Sequence, residues 1–275
     1  MSPKTEKEAG MKKFVSLLVI GVFVFGMAGM AFAAESTIDE IVKRGTIRVG
    51  MDTFVPWAMK DKTGKLIGFE IDVANRLAAD SKWKIEFVPT QWSGIIPALQ
   101  TGKFDVIIGG MTITAERHQK INFTIPYDHS VQYMMVNKKV APNMKSAEDF
   151  NKPDITLAAR LGSTAAMTAK RLMPKAQLRL FDNEGQAVQE LLNGKVAAMV
   201  AAAPLPFQQA IKYPETIYVI NQELYKELIG FGLRKGDFDT MNYFNNWILM
   251  ATNDGFLQER HNYWFTTMDW RGMVE

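Results

Sequence analysis

The segment from Gly109 to Arg117 (GGMTITAER) gathers residue types that can hold a small anion. Glycines let a ligand approach the backbone closely, and the guanidinium of Arg117 matches the two oxygens of a carboxylate. The segment follows an apolar strand, and open α/β sheets bind ligands at the carboxyl ends of their strands. A glycine turn beside a surface arginine would have the same sequence. The candidate binding residues are Gly110, Met111, Thr112 and Arg117.

Gly162, Ser163 and Thr164 form a second candidate, because they open a predicted helix after another apolar strand. The N-terminus of a helix presents unpaired N–H groups and a partial positive charge, which together favour an anion. An ordinary helix cap is the alternative interpretation. One carboxylate held by Arg117 and by this helix end would draw two halves of the molecule together, through contacts that exist only in a closed state.

Aromatic side chains near predicted strand ends could form the walls of such a site. Phe54 and Trp92 could enclose a flat or aliphatic side chain, although packing in the core is the usual fate of any single ring. Asp52, at the end of the first strand, could bind an ammonium group or a polar side chain. A role as a turn residue is equally compatible with its position.

Short strands and helices alternate along the chain, which predicts an α/β fold with mainly parallel sheets. Strands are predicted at 46–50, 84–88, 104–108, 155–159 and 196–201, and helices at 71–79, 95–101, 184–192 and within 239–264. Two extended segments, 132–137 and 228–233, are candidate crossovers. They divide the chain into a discontinuous lobe of residues 34–132 plus 230–275 and a second lobe of residues 133–229, with a cleft between them.

The first 33 residues are predicted to be a removable secretory signal. Lys12 and Lys13 provide a basic start, an apolar run follows over 14–31, and Ala31-Phe32-Ala33 has the small-x-small pattern of a cleavage site. A membrane helix could begin in the same way, but the flanks and the cleavage pattern favour removal. The sequence therefore predicts export to the periplasm.

Removal after Ala33 would take away four Lys and two Glu, so the formal charge would fall from +3 to +1. A nearly neutral protein has no broad basic face, which argues against nucleic acid as a partner. The absence of Cys excludes disulfides and a lipid-anchored N-terminal cysteine. His118, His129 and His261 lack the spacing of metal ligands, so we expect neither a metal nor another cofactor.

The segment Gly68–Ala74 (GFEIDVA) closely resembles the signature of the family 3 bacterial solute-binding proteins. Further motifs of that family follow in order: WSGIIPAL at 92–99, GMTITAER at 110–117 and INFTIPY at 121–127. The resemblance covers all of the chain after the signal. It implies a two-lobed type II periplasmic-binding-protein fold and a monomer, without enzymatic activity. Such a protein would deliver an amino acid or related carboxylate to an inner-membrane ABC permease.

The resemblance also implies a role for each candidate residue. Arg117, Thr112 and Ser163 or Thr164 would bind the α-carboxylate of the ligand, and the carbonyl of Gly110 would accept its ammonium. Phe54 and Trp92 would enclose the ligand side chain, and Asp52 would read it. Glu70 and Asp72 belong to the signature, but we interpret them as helix-entry and packing residues.

One position departs from the family pattern. Ala202 stands where the family usually has an Asp that pairs with the α-ammonium of the ligand. Loss of a desolvated, charge-assisted bond costs on the order of 2–5 kcal/mol. Another acid could substitute, with Asp128 as a candidate, or the ligand could be an organic acid without an amino group.

Two other classes of function compete with transport. Cyclohexadienyl dehydratases resemble the same family, but they need a general acid in the second lobe, and residues 201–206 (AAAPLP) are all apolar. A sensor module is the other alternative. Sensor modules of this type carry transmembrane and cytoplasmic parts, and no such parts are evident after the signal.

Overall fold

The computed structural model describes residues 35–274, so the predicted signal segment 1–33 lies outside the described residues. From Ser36 onward the chain forms one unit. Across residues 35–274, no helix combines the length and the apolar character that a membrane crossing requires.

Twelve strands and nine α-helices make up this part of the chain. The strands are β1 (Thr46–Met51), β2 (Met59–Lys60), β3 (Leu66–Ile67), β4 (Lys84–Pro89), β5 (Val106–Ile107), β6 (Asn122–Phe123), β7 (Asp128–Asn137), β8 (Thr156–Arg160), β9 (Gln177–Phe181), β10 (Ala198–Ala202), β11 (Ile217–Ile229) and β12 (Gly232–Leu233). The helices are α1 (Thr37–Arg44), α2 (Phe69–Asp80), α3 (Ile95–Gln100), α4 (Ala115–His118), α5 (Thr164–Leu172), α6 (Glu184–Leu192), α7 (Leu205–Lys212), α8 (Phe238–Asn253) and α9 (Phe256–His261).

Two five-stranded sheets organise these elements, and the α/β prediction is confirmed. The first sheet has the order β4-β1-β5-β12-β6, and the second has the order β11-β7-β10-β8-β9. We call the part of the chain built on the first sheet lobe 1 and the part built on the second sheet lobe 2. Both sheets are mixed, whereas the sequence predicted mainly parallel sheets. The reason is that β7, β11 and β12, which lie around the crossovers, pair antiparallel with their neighbours.

The chain passes from one sheet to the other twice. After β6 it enters β7 of the second sheet, and after β11 it returns to the first sheet through β12. Strands β7 and β11 pair along most of their length, from Asp128↔Ile229 to Asn137↔Ile217. The lobe boundaries at 132/133 and 229/230 stay a prediction. By sheet membership, the first passage already lies before Asp128, where β7 begins.

Each lobe has its own apolar core. In lobe 1, α2 presents Phe69, Val73 and Leu77 to a core that also holds Phe231 and Trp247. In lobe 2, the cores on the two sides of the sheet are built around residues such as Met134 and Phe150, and Met135 and Leu191. Each sheet is stabilised by its own cores, because apolar side chains are removed from water there.

The entry to α2 explains the signature segment in physical terms. Gly68 has φ 137°, and a Cβ at this position would lie 2.3 Å from the carbonyl oxygen of Trp57. Two residues later, Glu70 is fully buried, and the hydroxyl of Tyr127 lies 2.7 Å from both of its carboxyl oxygens. Burial raises the pKa of Glu70 to about 8. Glu70 therefore keeps a proton in the folded protein at neutral pH.

We predict that Glu70 makes the protein less stable as the pH rises from about 4.5 to about 8. In this window the folded state holds a proton that the unfolded chain, with the ordinary pKa of 4.5, has lost. The expected contribution is a loss of up to about 1.4 kcal/mol in the free energy of unfolding per pH unit. Glu70→Gln should make this pH dependence shallower in urea unfolding, and the exposed-site control Glu86→Gln should keep the wild-type slope. An unchanged slope in Glu70→Gln would contradict the assignment.

Candidate functional site

The predicted binding residues of lobe 1 come from loops that follow neighbouring strands. Asp52 and Phe54 lie directly after β1, and Gly110, Met111 and Thr112 lie just after β5. Because β1 and β5 are parallel neighbours, their carboxyl ends meet at one edge of the sheet. The structure therefore brings together residues that are more than 50 positions apart in the sequence.

Arg117 lies in the short helix α4 with its side chain buried beneath lobe 2. The hydroxyl of Thr114 caps this helix by accepting a hydrogen bond from the backbone N–H of Arg117. The guanidinium donates from Nη1 to the carbonyl of Thr112 at 2.9 Å and from Nη2 to the carbonyl of Gly162 at 3.1 Å. Burial lowers the pKa of Arg117 to about 10, so the group is charged at neutral pH. A guanidinium has five N–H donors, and two of them are used in these bonds.

The start of α5 supplies the predicted contact from lobe 2. Ser163 caps the helix, since its hydroxyl accepts from the N–H of Ala166 and donates to the carbonyl of Arg160 at 2.7 Å. Gly162 precedes it with φ 74°, and a Cβ here would lie 3.3 Å from the Cα of Ser93 in lobe 1. The two lobes thus approach closely at this point. Thr164, the first residue of the helix, turns its hydroxyl toward the interior.

A buried carboxylate that the sequence analysis missed connects the two clamp threonines. Oε1 of Glu227, on β11, accepts from the hydroxyl of Thr112 at 2.7 Å, from Nε2 of Gln132 at 2.9 Å and from the hydroxyl of Thr164. The side chain of Glu227 is 4 % exposed. Its only sequence signal was its place immediately before the predicted crossover segment 228–233.

Ala202 ends β10, and the residue paired with it on β7 is hydrogen-bonded to Glu227. Ala202 is opposite Gln132 in the ladder between β10 and β7, and Gln132 donates to Glu227 on the far side of β7. Asp128, the acid considered as a substitute, instead pairs with Nδ1 of His261 at 2.8 Å. The acid held among the clamp residues is therefore Glu227.

The aromatic pair lies together, with a guanidinium from lobe 2 over it. The rings of Phe54 and Trp92 have centroids 6.3 Å apart and are tilted by 58°. The guanidinium of Arg160 lies 5.3 Å from the ring of Phe54 and 5.1 Å from that of Trp92, and it forms an ion pair with Asp52. Arg160 is a second residue that the sequence analysis missed, although it immediately precedes the loop to α5.

Two cavities between the lobes contain most of the predicted site. A cavity of about 530 Å³ is lined by residues that include Trp92, Met111, Arg117, Gly162 and Ser163. A larger cleft of about 1630 Å³ is lined by residues that include Asp52, Phe54 and Glu184. The volume of the first cavity suits a small metabolite, whereas the second is larger than a typical ligand pocket. Binding at each predicted residue stays a prediction.

Comparison with known proteins identifies relatives of the whole described chain. Residues 47–267 match the bacterial extracellular solute-binding proteins, family 3. The L-cystine-binding protein TcyJ of Escherichia coli (strain K12) is 27% identical over 257 residues, which are 93% of this chain and 96% of that protein. A cyclohexadienyl dehydratase of Pseudomonas aeruginosa is 25% identical over 233 residues, which are 84% of this chain and 87% of that enzyme.

The crystal structure of an ancestral amino acid-binding protein, AncCDT-1, is also similar. It is described as a precursor of cyclohexadienyl dehydratase, and its sequence is 45% identical to this chain. The match covers 84% of this chain and 100% of that protein, with a TM-score of 0.76. The neighbours thus have the same type II two-lobed fold.

We predict that Gly110→Ala disturbs the site by steric overlap as well as by backbone strain. Gly110 has φ 65°, and a Cβ would lie 2.7 Å from Cζ of Phe54. Gly45→Ala is the matched control, because Gly45 has the same φ with no atom within 4 Å of the added Cβ. Urea unfolding should show Gly110→Ala less stable than the control by about 1–3 kcal/mol. Equal losses in both variants would mean that Phe54 simply moves aside.

Proposed function

This chain belongs to the bacterial extracellular solute-binding proteins, family 3, and from that premise we propose that it binds an amino acid in the periplasm. It would deliver this ligand to an inner-membrane ABC permease. Family membership and the amino-acid- or cystine-binding descriptions of its relatives support the transport role. The geometry around Arg117 supports the proposal that this ligand carries a carboxylate.

The buried, charged guanidinium of Arg117 is the observation that carries this proposal. It lies at the junction of the two lobes, 7 % exposed, and its hydrogen bonds go to neutral carbonyl oxygens. The carboxylates of Glu227 and Glu116 favour its charged form, but in residues 35–274 neither forms an ion pair with it. A buried cation is costly unless an anion pairs with it. A ligand carboxylate would supply this anion and would contact both lobes at once, which favours the closed state.

Glu227 supports the presence of an amino group in the ligand. A carboxylate beside Thr112 and Thr164 lies next to the residues that would hold the ligand carboxylate. The two charges of an α-amino acid are separated by a single carbon atom. We infer that Glu227 takes the role of the acid that Ala202 lacks, and that the ligand ammonium lies toward β11 rather than toward the end of β10.

We predict that Arg117→Ala weakens amino-acid binding by at least about 30-fold, because truncating one partner of a buried charge pair costs about 2–5 kcal/mol. A thermal-shift screen of amino acids would identify the ligand, and isothermal titration calorimetry would give its affinity. Arg76→Ala, at a partly exposed arginine on α2, is the control and should bind normally. Normal affinity in a folded Arg117→Ala variant would refute the clamp.

We further predict that Glu227→Gln weakens binding of an amino acid by about 10-fold or more, since an amide cannot neutralise an ammonium. The same change should leave binding of the corresponding acid without an amino group unchanged or improved. Glu223→Gln, at an exposed position on the same strand, is the control. Calorimetry should be carried out with both ligand types. An equal loss of affinity for both in Glu227→Gln would contradict the proposed role of Glu227.

A dehydratase activity is the second candidate, and one titratable side chain favours it. Glu184, at the start of α6, lines the cleft, and burial raises its pKa to about 7. General acids work best with a pKa near the operating pH, so Glu184 could supply the proton donor that residues 201–206 lack. One relative is a cyclohexadienyl dehydratase.

Incubation with prephenate or arogenate separates the enzyme from the binding protein. Our proposal expects no aromatic product above the level of buffer alone. Formation of product by the wild type, lost in Glu184→Gln, would replace transport with catalysis as the function of this cleft.

A further inference from the structure

Arg160, at the end of β8, brings a second buried guanidinium against Asp52, Phe54 and Trp92, which line the two cavities. Its side chain is 4 % exposed and reaches from lobe 2 to Asp52, which follows β1 of lobe 1. Asp52 is itself held in place, since it accepts from the backbone N–H of Trp92 at 2.8 Å. The ion pair therefore spans the two lobes beside the proposed amino-acid site.

Arg160 and Arg117 lie over the same indole. Their guanidinium carbons are 5.1 Å and 5.7 Å from the ring centroid of Trp92. The aromatic pair that was expected to enclose a ligand side chain is thus covered by a cation of the protein itself. Because both cations lie over one ring, a single small ligand with two acid groups could contact both.

The hydrogen bonds of Arg160 leave a donor for a second acid. Its contact with Asp52 runs through Nη2, and its buried Nε has no hydrogen-bond partner among the described residues. A buried, unpaired N–H is costly, and a carboxylate is the partner that a guanidinium binds best. A cationic ligand side chain would instead meet a like charge over Phe54 and Trp92, and it would have to displace Arg160 from Asp52.

The other acids near Arg160 do not favour a cationic side chain strongly. Asp52 is already paired with Arg160, and Glu227 is the acid proposed above for the α-ammonium of the ligand rather than for its side chain. Burial raises the pKa of Glu184 to about 7, so a large fraction of this carboxyl is protonated at neutral pH. In that form it can donate a hydrogen bond to an acid.

We propose that Arg160 is a specificity residue that selects a ligand with two acid groups on a short carbon skeleton. Arg117 would bind one acid and Arg160 the other, with Trp92 beneath both. This inference rests on the proposed function, because it concerns the same cleft. It distinguishes the chain from AncCDT-1, which is also described as a cationic amino acid solute-binding protein.

Isothermal titration calorimetry on the wild-type protein tests the selection directly. The pairs are L-glutamate with L-glutamine, L-aspartate with L-asparagine, and succinate with succinamate, and L-lysine and L-arginine complete the set. We expect at least one diacid to bind about 30-fold or more tightly than its amide, and more tightly than lysine or arginine. A preference in the succinate pair would show that the amino group is dispensable, and a preference confined to the amino acids would show that it is read.

Variants then assign the preference to Arg160. Arg160→Gln should reduce the ratio between acid and amide to near one, and Asp52→Asn should increase it by freeing the guanidinium. Arg179→Gln, at an exposed arginine on β9, is the control and should keep the wild-type ratio. The wild-type comparison remains decisive if Arg160→Gln does not fold.

The inference would be overturned if the wild type bound lysine, arginine or the amides more tightly than the diacids. It would also be overturned if Arg160→Gln kept the wild-type ratio of acid to amide affinity. Those results would leave the proposed function intact if Arg117→Ala still abolished binding. Failure of every amino acid and diacid to bind would overturn both.

Discussion

The charge on Arg117 is held out of water at the junction of two sheets, and the surrounding structure compensates for this arrangement. The hydroxyl of Thr114 accepts a hydrogen bond from the backbone N–H of Arg117. The guanidinium donates to the carbonyl of Thr112 and, in the opposite lobe, to the carbonyl of Gly162. Two neutral carbonyls solvate a cation only partly. A ligand anion at this point would offset more of that cost, which is the physical basis of the proposed clamp.

The strands that cross between the lobes also form part of the site. Glu227 lies on β11 and Gln132 on β7, and both strands run from the crossovers into the second sheet. Their hydrogen bonds connect Thr112 of lobe 1 with Thr164 of lobe 2 through one carboxylate oxygen. In the proposed function, a ligand that contacts this oxygen would therefore act on the strands that connect the two lobes.

The charges around Asp52 are the basis of our proposal that the site does not take a cationic side chain. The structure pairs Asp52 with a guanidinium from the same chain and places that guanidinium on the aromatic rings. Relatives of the same fold bind ligands as different as cystine and cationic amino acids, and one is an enzyme. The fold therefore leaves the ligand open, and a few side chains at the cleft decide it.

The sequence by itself determined the local elements and the family. Alternating apolar segments predicted β1, β4 and β8, glycine and cap residues located the start of α5, and the motifs from Gly68 to Arg117 identified the solute-binding family. These features depend on short-range periodicity and backbone geometry, which neighbouring residues reveal.

Only the tertiary structure decided which acids and cations meet. Glu227 is 115 positions from Thr112, and Arg160 is 108 positions from Asp52, so no local pattern could join them. The sheets are mixed for a similar reason, since β7, β11 and β12 pair antiparallel with strands that are distant in the sequence. Burial then changed the chemistry of these groups, because a carboxyl or guanidinium removed from water takes its charge state and its partners from the fold rather than from its neighbours in sequence.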